Sequence, residues 1–280
     1  EFGRLSFAGS VSTQLKTPRR IVITATHLYV AGTIAANGGA TAAQIEVFKP
    51  NVSNQLPMPV AGGVIPAPDG AGPMVVDAAT GALFVAAADR IQHYAITPDG
   101  PNAGLLTANV PAFPLGGSVE RVSDLLLVHN EGEGVDIYAL AGHSTNRSTI
   151  EHLRSSAAGL GFQDTYGADP ALPLDGQVRI ALSPDGEHLI GINHDEDAVF
   201  TLRRDIVTGG LSGPEQVLDR TGEELAEFVG LNKPTALVVT PDSRHVVITS
   251  GSTTAVGPLT VLSRRAPPPQ LGFIELDRDG

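Results

Sequence analysis

Short β-branched and aromatic runs of about four to eight residues, bounded by Gly, Pro, Asn or Asp, recur along the whole chain. Many alternate apolar and polar positions, the two-residue period of a half-buried strand, and none sustains the longer period of an extended helix. One passage reads RIVITATHLYVAGT (20–33) and then QIEVFKP (44–50): two strands about a turn, then a third ending in an aromatic residue. The same plan returns at 73–100, at 118–140, at 177–205, and at 235–251 with 259–265. The turns between first and second strands carry Thr80-Gly81, Asp185-Gly186 and Asp242-Ser243, residue types that accept positive φ or bond to their own backbone.

Taking Phe48, Tyr94, Tyr138, Phe200 and Val261 as third-strand anchors, the units follow one another at spacings of 46, 44, 62 and 61 residues. A four-stranded propeller blade takes about 40–50 residues, so the pattern predicts an all-β, single-domain β-propeller over 1–280, built of antiparallel blades. Five repeats are recognisable. Six or seven stay open, because 141–176 has the length to hold a degenerate blade and the five units could be part of a longer ring. Outer strands are expected at Leu105–Thr107 and Glu215–Leu218. Arg4–Phe7 and Gly272–Leu276 are expected to pair and close the ring, which would remove two exposed edges. The first strand of each unit reads as more continuously apolar than the half-buried third, as expected of an inner position between neighbouring blades, and Gly222–Phe228 as a short helical decoration.

Composition narrows the chemistry. The chain has 42% hydrophobic and 17% charged residues, which is incompatible with whole-chain disorder, and no apolar run approaches the ~20 residues of a membrane-spanning helix. Eighteen basic residues against 30 acidic ones leave a formal charge of −12, which opposes nucleic acid as a partner. With no Cys there is no disulfide, thiolate metal site or cysteine nucleophile. Arg far outnumbers Lys, which reads as a high-GC bacterial coding bias. The start, EFGRLSFAGS, lacks an initiator Met and a signal-peptide plan and reads as processed; a secreted, periplasmic or cell-surface location is expected over a cytoplasmic one.

The stretch SPDGEHLIGINHDEDAVFTLRRDIVTGGLSG (183–213) resembles the repeat of YVTN-type propellers and of the lactonase family, which includes 6-phosphogluconolactonases and carboxymuconate-lactonising enzymes. Ser183–Gly186, Asn193, Phe200 and Thr208-Gly209 carry the likeness, with weaker echoes at Thr97–Gly100 and Thr240–Asp242. The resemblance implies a propeller fold. For members that are enzymes it implies an arginine-rich pocket at the mouth of the central channel, with His and Glu near the starts of inner strands. Here the sequence departs from that pattern: Pro73-Met74 and Pro234-Thr235 stand where a Pro-His or Arg-His pair is expected.

The inner-strand starts nonetheless offer Arg19, Arg20, Glu120, Arg121, Gln177, Arg179 and Lys233. Cations around one carboxylate suit an anionic lactone or sugar acid, with Arg binding a carboxylate bidentately and Glu120 acting as base: Glu120 and Arg179 are the catalytic candidates, and Arg20, Arg121, Gln177 and Lys233 the ligand-binding ones. The competing reading is a polar ring that keeps the axis wet. On balance the sequence reads as a binding or interaction scaffold for a protein or small anionic ligand, without cofactor, and as a lactone hydrolase or lactonising enzyme in the alternative.

Other constellations point to structure. His194-Asp195-Glu196-Asp197 offers metal-type donors, with Asp195 and Asp197 the weak candidates, but an acidic solvated turn explains it, and no metal is expected. Glu131 and Glu133 fall in the equivalent turn of another unit. Ser183 and Ser250 lack a nucleophile-elbow context, and the Gly-rich run 36–40 precedes a strand instead of a phosphate-cradling helix.

Overall fold

The computed structural model describes residues 10–35, 41–49, 56–68, 71–108, 112–116, 119–130, 134–143, 148–156, 159–167, 172–176, 178–218, 231–251 and 259–264. Among them every regular element is a strand, and the strands form five antiparallel sheets in which neighbours follow chain order.

The first sheet contains β1 (Thr17–Ile23), β2 (Leu28–Ala35), β3 (Thr41–Lys49) and β4 (Met58–Pro66). The second contains β5 (Ala71–Asp77), β6 (Ala82–Ala87), β7 (Arg90–Ile96) and β8 (Leu106–Ala108), with β9 (Phe113–Pro114) also pairing with β7. The third contains β10 (Val119–His129), β11 (Val135–His143), β12 (Ser148–Ser156) and β13 (Gly159–Tyr166). The fourth contains β14 (Val178–Leu182), β15 (His188–Asn193), β16 (Ala198–Arg204) and β17 (Leu211–Leu218), and the fifth β18 (Pro234–Val239), β19 (His245–Ser250) and β20 (Leu259–Ser263).

Alternation within strands makes the sheets stack face to face. On β6, Leu83 and Val85 pack toward Tyr29, Ile45 and Val47 of the first sheet, whereas Phe84 and Ala86 pack toward Val122, Ile137 and Ala139 of the third. Tyr138 and Leu140 of β11 repeat the arrangement against Leu189, Phe200 and Leu202, and Ile190 and Ile192 of β15 against Val246 and Ile248. A second strand of the second, third or fourth sheet therefore has a sheet on each face and a strand on each edge, which is why ALFVAA at 82–87 is apolar throughout and wholly buried. The first strands lie side by side, β1 next to β5, β5 next to β10, β10 next to β14 and β14 next to β18. This is the arrangement of a β-propeller, with first strands innermost.

Two expectations need correction. The first strands are not more continuously buried than the third: β1 is exposed at five of its seven positions and β18 at three of six, against one of seven on the third strand β16. The anchor Tyr138 lies on the second strand of its sheet, not the third. The long β10 occupies the place of the innermost strand, and the stretch 141–176 supplies β12 and β13, which complete the third sheet and form no extra blade. Phe48, Tyr94, Phe200 and Val261 do sit on third strands. The terminal pairing at Arg4–Phe7 and Gly272–Leu276, and the helix at 222–228, lie outside the described residues.

Candidate functional site

Inner-strand positions are adjusted by bulges. The pairing of β1 with β2 slips between Pro18 and Arg20, and β10 slips against β11 at Val119/Arg121 and again at Val122/Asp124. Bulges re-aim side chains out of the alternating plan. At the second slip of β10, the Ser123 carbonyl accepts from Arg20 Nη2 at 3.3 Å and from Arg179 Nη1 at 3.4 Å. Arg20 belongs to the first sheet and Arg179 to the fourth, so one carbonyl of the third sheet gathers guanidinium groups from both sides. Arg179 Nη1 also donates to the Val178 carbonyl at 3.1 Å.

Next to this carbonyl is Asp124, whose Oδ2 accepts the Ile180 amide at 3.2 Å and whose Oδ1 accepts the Leu125 amide at 3.1 Å. Burial pushes its carboxyl up from the usual carboxylate range, opposed by the Ile180 amide and by the charges of Arg179 and Arg20. The structure thus brings two of the expected cations together around a carboxylate, but the carboxylate is Asp124 and not Glu120. In sequence terms Asp124 was hidden inside SVERVSDLLLVH, where alternation alone does not reveal the bulge that turns it.

The remaining described candidates make other contacts. Glu120 and Arg121 are exposed on β10, and the Arg121 side chain crosses Gly142 of β11, where a Cβ would come within 2.9 Å of Nε. Lys233 is exposed just ahead of β18 at φ 51°, and its amide donates to Asp197 Oδ1 at 2.6 Å. Asp195 pairs with the His194 imidazole at 2.9 Å. Asp195 and Asp197 thus hold a turn and a strand entrance, and among the described residues no group of three or more His, Asp or Glu could hold a metal ion. Gln177, Glu131 and Glu133 lie outside the described residues.

A second polar centre, unforeseen from sequence, lies between the third and fourth sheets. Asp136 of β11 has no solvent exposure and accepts from Arg154 Nε at 2.9 Å, Arg204 Nη2 at 2.9 Å and Asn130 Nδ2 at 2.6 Å. The buried His152 Nε2 lies 3.0 Å from Oδ1 without hydrogen-bond alignment, and its ring stacks on Tyr138 at 4.9 Å between centroids. Tyr138 Oη accepts from Arg204 Nε at 2.7 Å and donates to the Gly209 carbonyl at 2.6 Å. Burial raises the Asp136 carboxyl, but the adjacent His152 ring and the hydrogen bonds from Arg154 and Asn130 outweigh it and hold the carboxyl well below the ordinary range. Burial also pushes the Tyr138 phenol up, so it stays a neutral donor. Side chains of the third and fourth sheets converge on this one carboxylate, which makes the network a bolt between the sheets.

Comparison with known proteins agrees with this architecture. No protein-family model matches the sequence, and no curated protein matches it. Among solved structures, the periplasmic gluconolactonase of Pseudomonas aeruginosa superposes with a TM-score of 0.62 at 17% identity, over 89% of this chain and 71% of that one. A candidate 6-phosphogluconolactonase of Bacteroides uniformis gives 0.62 at 16% identity, over 87% of this chain and 69% of that one. A protein of Lactobacillus plantarum gives 0.59 at 15%, over 88% and 70%. The chain is a β-propeller of the architecture seen in lactonase-like proteins. At these identities the likeness is one of fold, which does not carry an activity with it.

Proposed function

We propose that this chain is a propeller-type binding scaffold whose inner strands present Arg20 and Arg179 to a small anionic ligand. The observation that carries the reading is the common seat of the two guanidinium groups on the Ser123 carbonyl beside Asp124. A guanidinium has five donors, so each group keeps donors for a carboxylate or phosphate while the protein fixes its position. Glu120, the base expected for lactone hydrolysis, is exposed on β10, and the carboxylate beside the two guanidinium groups is Asp124, with one backbone amide on each oxygen. The expected location remains extracytoplasmic, and nucleic acid remains an unexpected partner for a chain of net charge −12.

A lactone-hydrolase reading is favoured by one finding, the two gluconolactonase-type structures among the neighbours. A panel of sugar-acid and aromatic-acid lactones separates the two, assayed with the wild type, Glu120→Ala and Arg179→Ala. The scaffold reading expects no turnover above the uncatalysed rate, with gluconate or 6-phosphogluconate binding weakened about tenfold by Arg179→Ala, the effect of losing one charge-assisted contact. Turnover that either substitution abolishes would establish the hydrolase instead.

A further inference from the structure

Four clusters of buried apolar side chains join the first sheet to the second, the second to the third, the third to the fourth and the fourth to the fifth. Among the described residues, no cluster joins the fifth sheet to the first. The two sheet faces that such a cluster would cover carry exposed aliphatic side chains. Ile21 and Ile23 of β1 are 62% and 65% exposed, and Val64 of β4 lies on the same face, through the β1–β2 and β3–β4 registers. On the fifth sheet Val238 is 57% exposed, Leu259 65% and Val261 53%, and the pairs Val238↔Val247↔Val261 and Thr249↔Leu259 put them on one side. Their sequence neighbours Leu237, Val239, Val246 and Leu262 point the other way, into the fourth sheet. Residues 11–15 cover part of the first face, where Leu15 packs on Val30 and Phe48 and the Gln14 amide donates to the buried Glu46 at 2.7 Å. Ile21 and Ile23 are left outside that cover. A strand added at the edge of β20 would lengthen the fifth sheet and leave its face unchanged.

We propose that these two end faces are the seats of about two further blades of the same polypeptide, which complete the ring. Three observations select this occupant. Each sheet is built from consecutive strands and packs on the sheet next in sequence, so the repeating unit of assembly is a blade in cis. The five sheets superpose on only 69–71% of the length of the three neighbours, and the remainder, about three-tenths, is room for about two more units of the same size. A second copy of this arc would instead bring five blades to a gap of about two, a head-to-tail contact that extends without closing.

The test uses hydrogen exchange and intact mass. The polypeptide isolated from its source with an antibody against this chain is expected to exceed 280 residues by roughly 100, two blades' worth. In it, amides of 17–23 and 259–263 should exchange at least about tenfold more slowly than in the 280-residue chain produced alone. Ile23→Glu and Val261→Glu should each lower the thermal midpoint of the longer polypeptide, whereas Val207→Glu, on a turn residue that is 76% exposed, should not. This comparison does not depend on the shorter chain folding alone. Three results would overturn the proposal: a source polypeptide no longer than this chain, protection that appears only with concentration-dependent self-association or with a separate protein, or Ile23→Glu and Val261→Glu as neutral as Val207→Glu. None bears on ligand binding at Arg179, so the proposal and the scaffold reading stand or fall separately.

Discussion

Arg204 Nη2 lies 2.9 Å from Asp136 Oδ2, with side-chain exposures of 2% and 0%, and this contact crosses from the fourth sheet to the third. A buried charge pair is weak grounds for extra stability over apolar packing, but removal of one partner strands the other. Asp136 cannot be left uncharged without cost, because Arg154 and Asn130 also aim donors at it. Asp136→Asn puts an NH₂ donor among those donors. The expected loss is about 3–5 kcal/mol for Asp136→Asn or Arg204→Met, with the double variant losing less than the sum. Urea unfolding of the three variants measures it.

The same carboxylate sets a pH dependence. Its folded pKa lies below the unfolded value of about 3.9, so the folded state releases the proton more readily, and the stabilisation is complete above that unfolded value. It is lost as pH falls from about 4 toward the folded pKa. The urea midpoint of the wild type should therefore drop between pH 5 and pH 3 more steeply than that of Asp136→Asn, in which this titration is absent. Equal slopes would show that the network does not retain its charge in the folded state.

Gly191 of β15 pairs with Phe200 of β16, and a Cβ built on Gly191 would stand 2.0 Å from Phe200 Cζ. The ring covers the bare backbone and cannot withdraw, because Phe200 is fully buried among Leu189, Leu202 and Tyr138. Gly191→Ala should cost about 1–3 kcal/mol by overpacking, and Phe200→Leu in the same chain should recover part of it. Thermal unfolding of the single and double variants tests this. An Ala variant as stable as the wild type would mean that the ring does not occupy this place.

That pair also shows what the sequence could reveal. Phe200 was readable as a third-strand anchor because an aromatic closes an alternating run, and Asn193 through the likeness to the lactonase-type repeat. Asn193 Nδ2 donates to the Pro173 and Asp175 carbonyls, and its Oδ1 accepts the Asp195 and Glu196 amides. Thr208-Gly209 was readable as a turn, and the structure adds the reason for glycine: at φ 70°, a Cβ there would fall on Asp136. Tyr138 misled because an aromatic also suits a second strand when both faces are covered. The strands β12 and β13 escaped because STIEHLRSS buries Glu151 and His152, polar residues that patterning assigns to solvent. The Arg20–Arg179 meeting at Ser123 was half visible. Both arginines stand out as inner-strand cations, yet their shared partner depends on a bulge and on sheet order, neither of which is written in local alternation.

Asp124 leads to a prediction of opposite sign to that for Asp136. Burial raises its folded pKa above the unfolded value, so between the two values the unfolded chain loses its proton first and stability falls as pH rises. The nearby charges of Arg179 and Arg20 restrain that rise. Removal of either charge should therefore push the Asp124 carboxyl further up: in Arg179→Met its carbon-13 carboxyl titration should move to higher pH than in the wild type. The same variant should lose more stability at pH 7 than at pH 4, because at the lower pH the proton compensates for the missing cation. If the titration stays in place, Arg179 does not face Asp124, and the two cations act on a ligand without a shared carboxylate between them. If it moves, the cluster is electrostatically one unit. An anion bound by Arg20 and Arg179 would then compete with Asp124 for the same positive charge, and its affinity should rise as Asp124 takes up a proton.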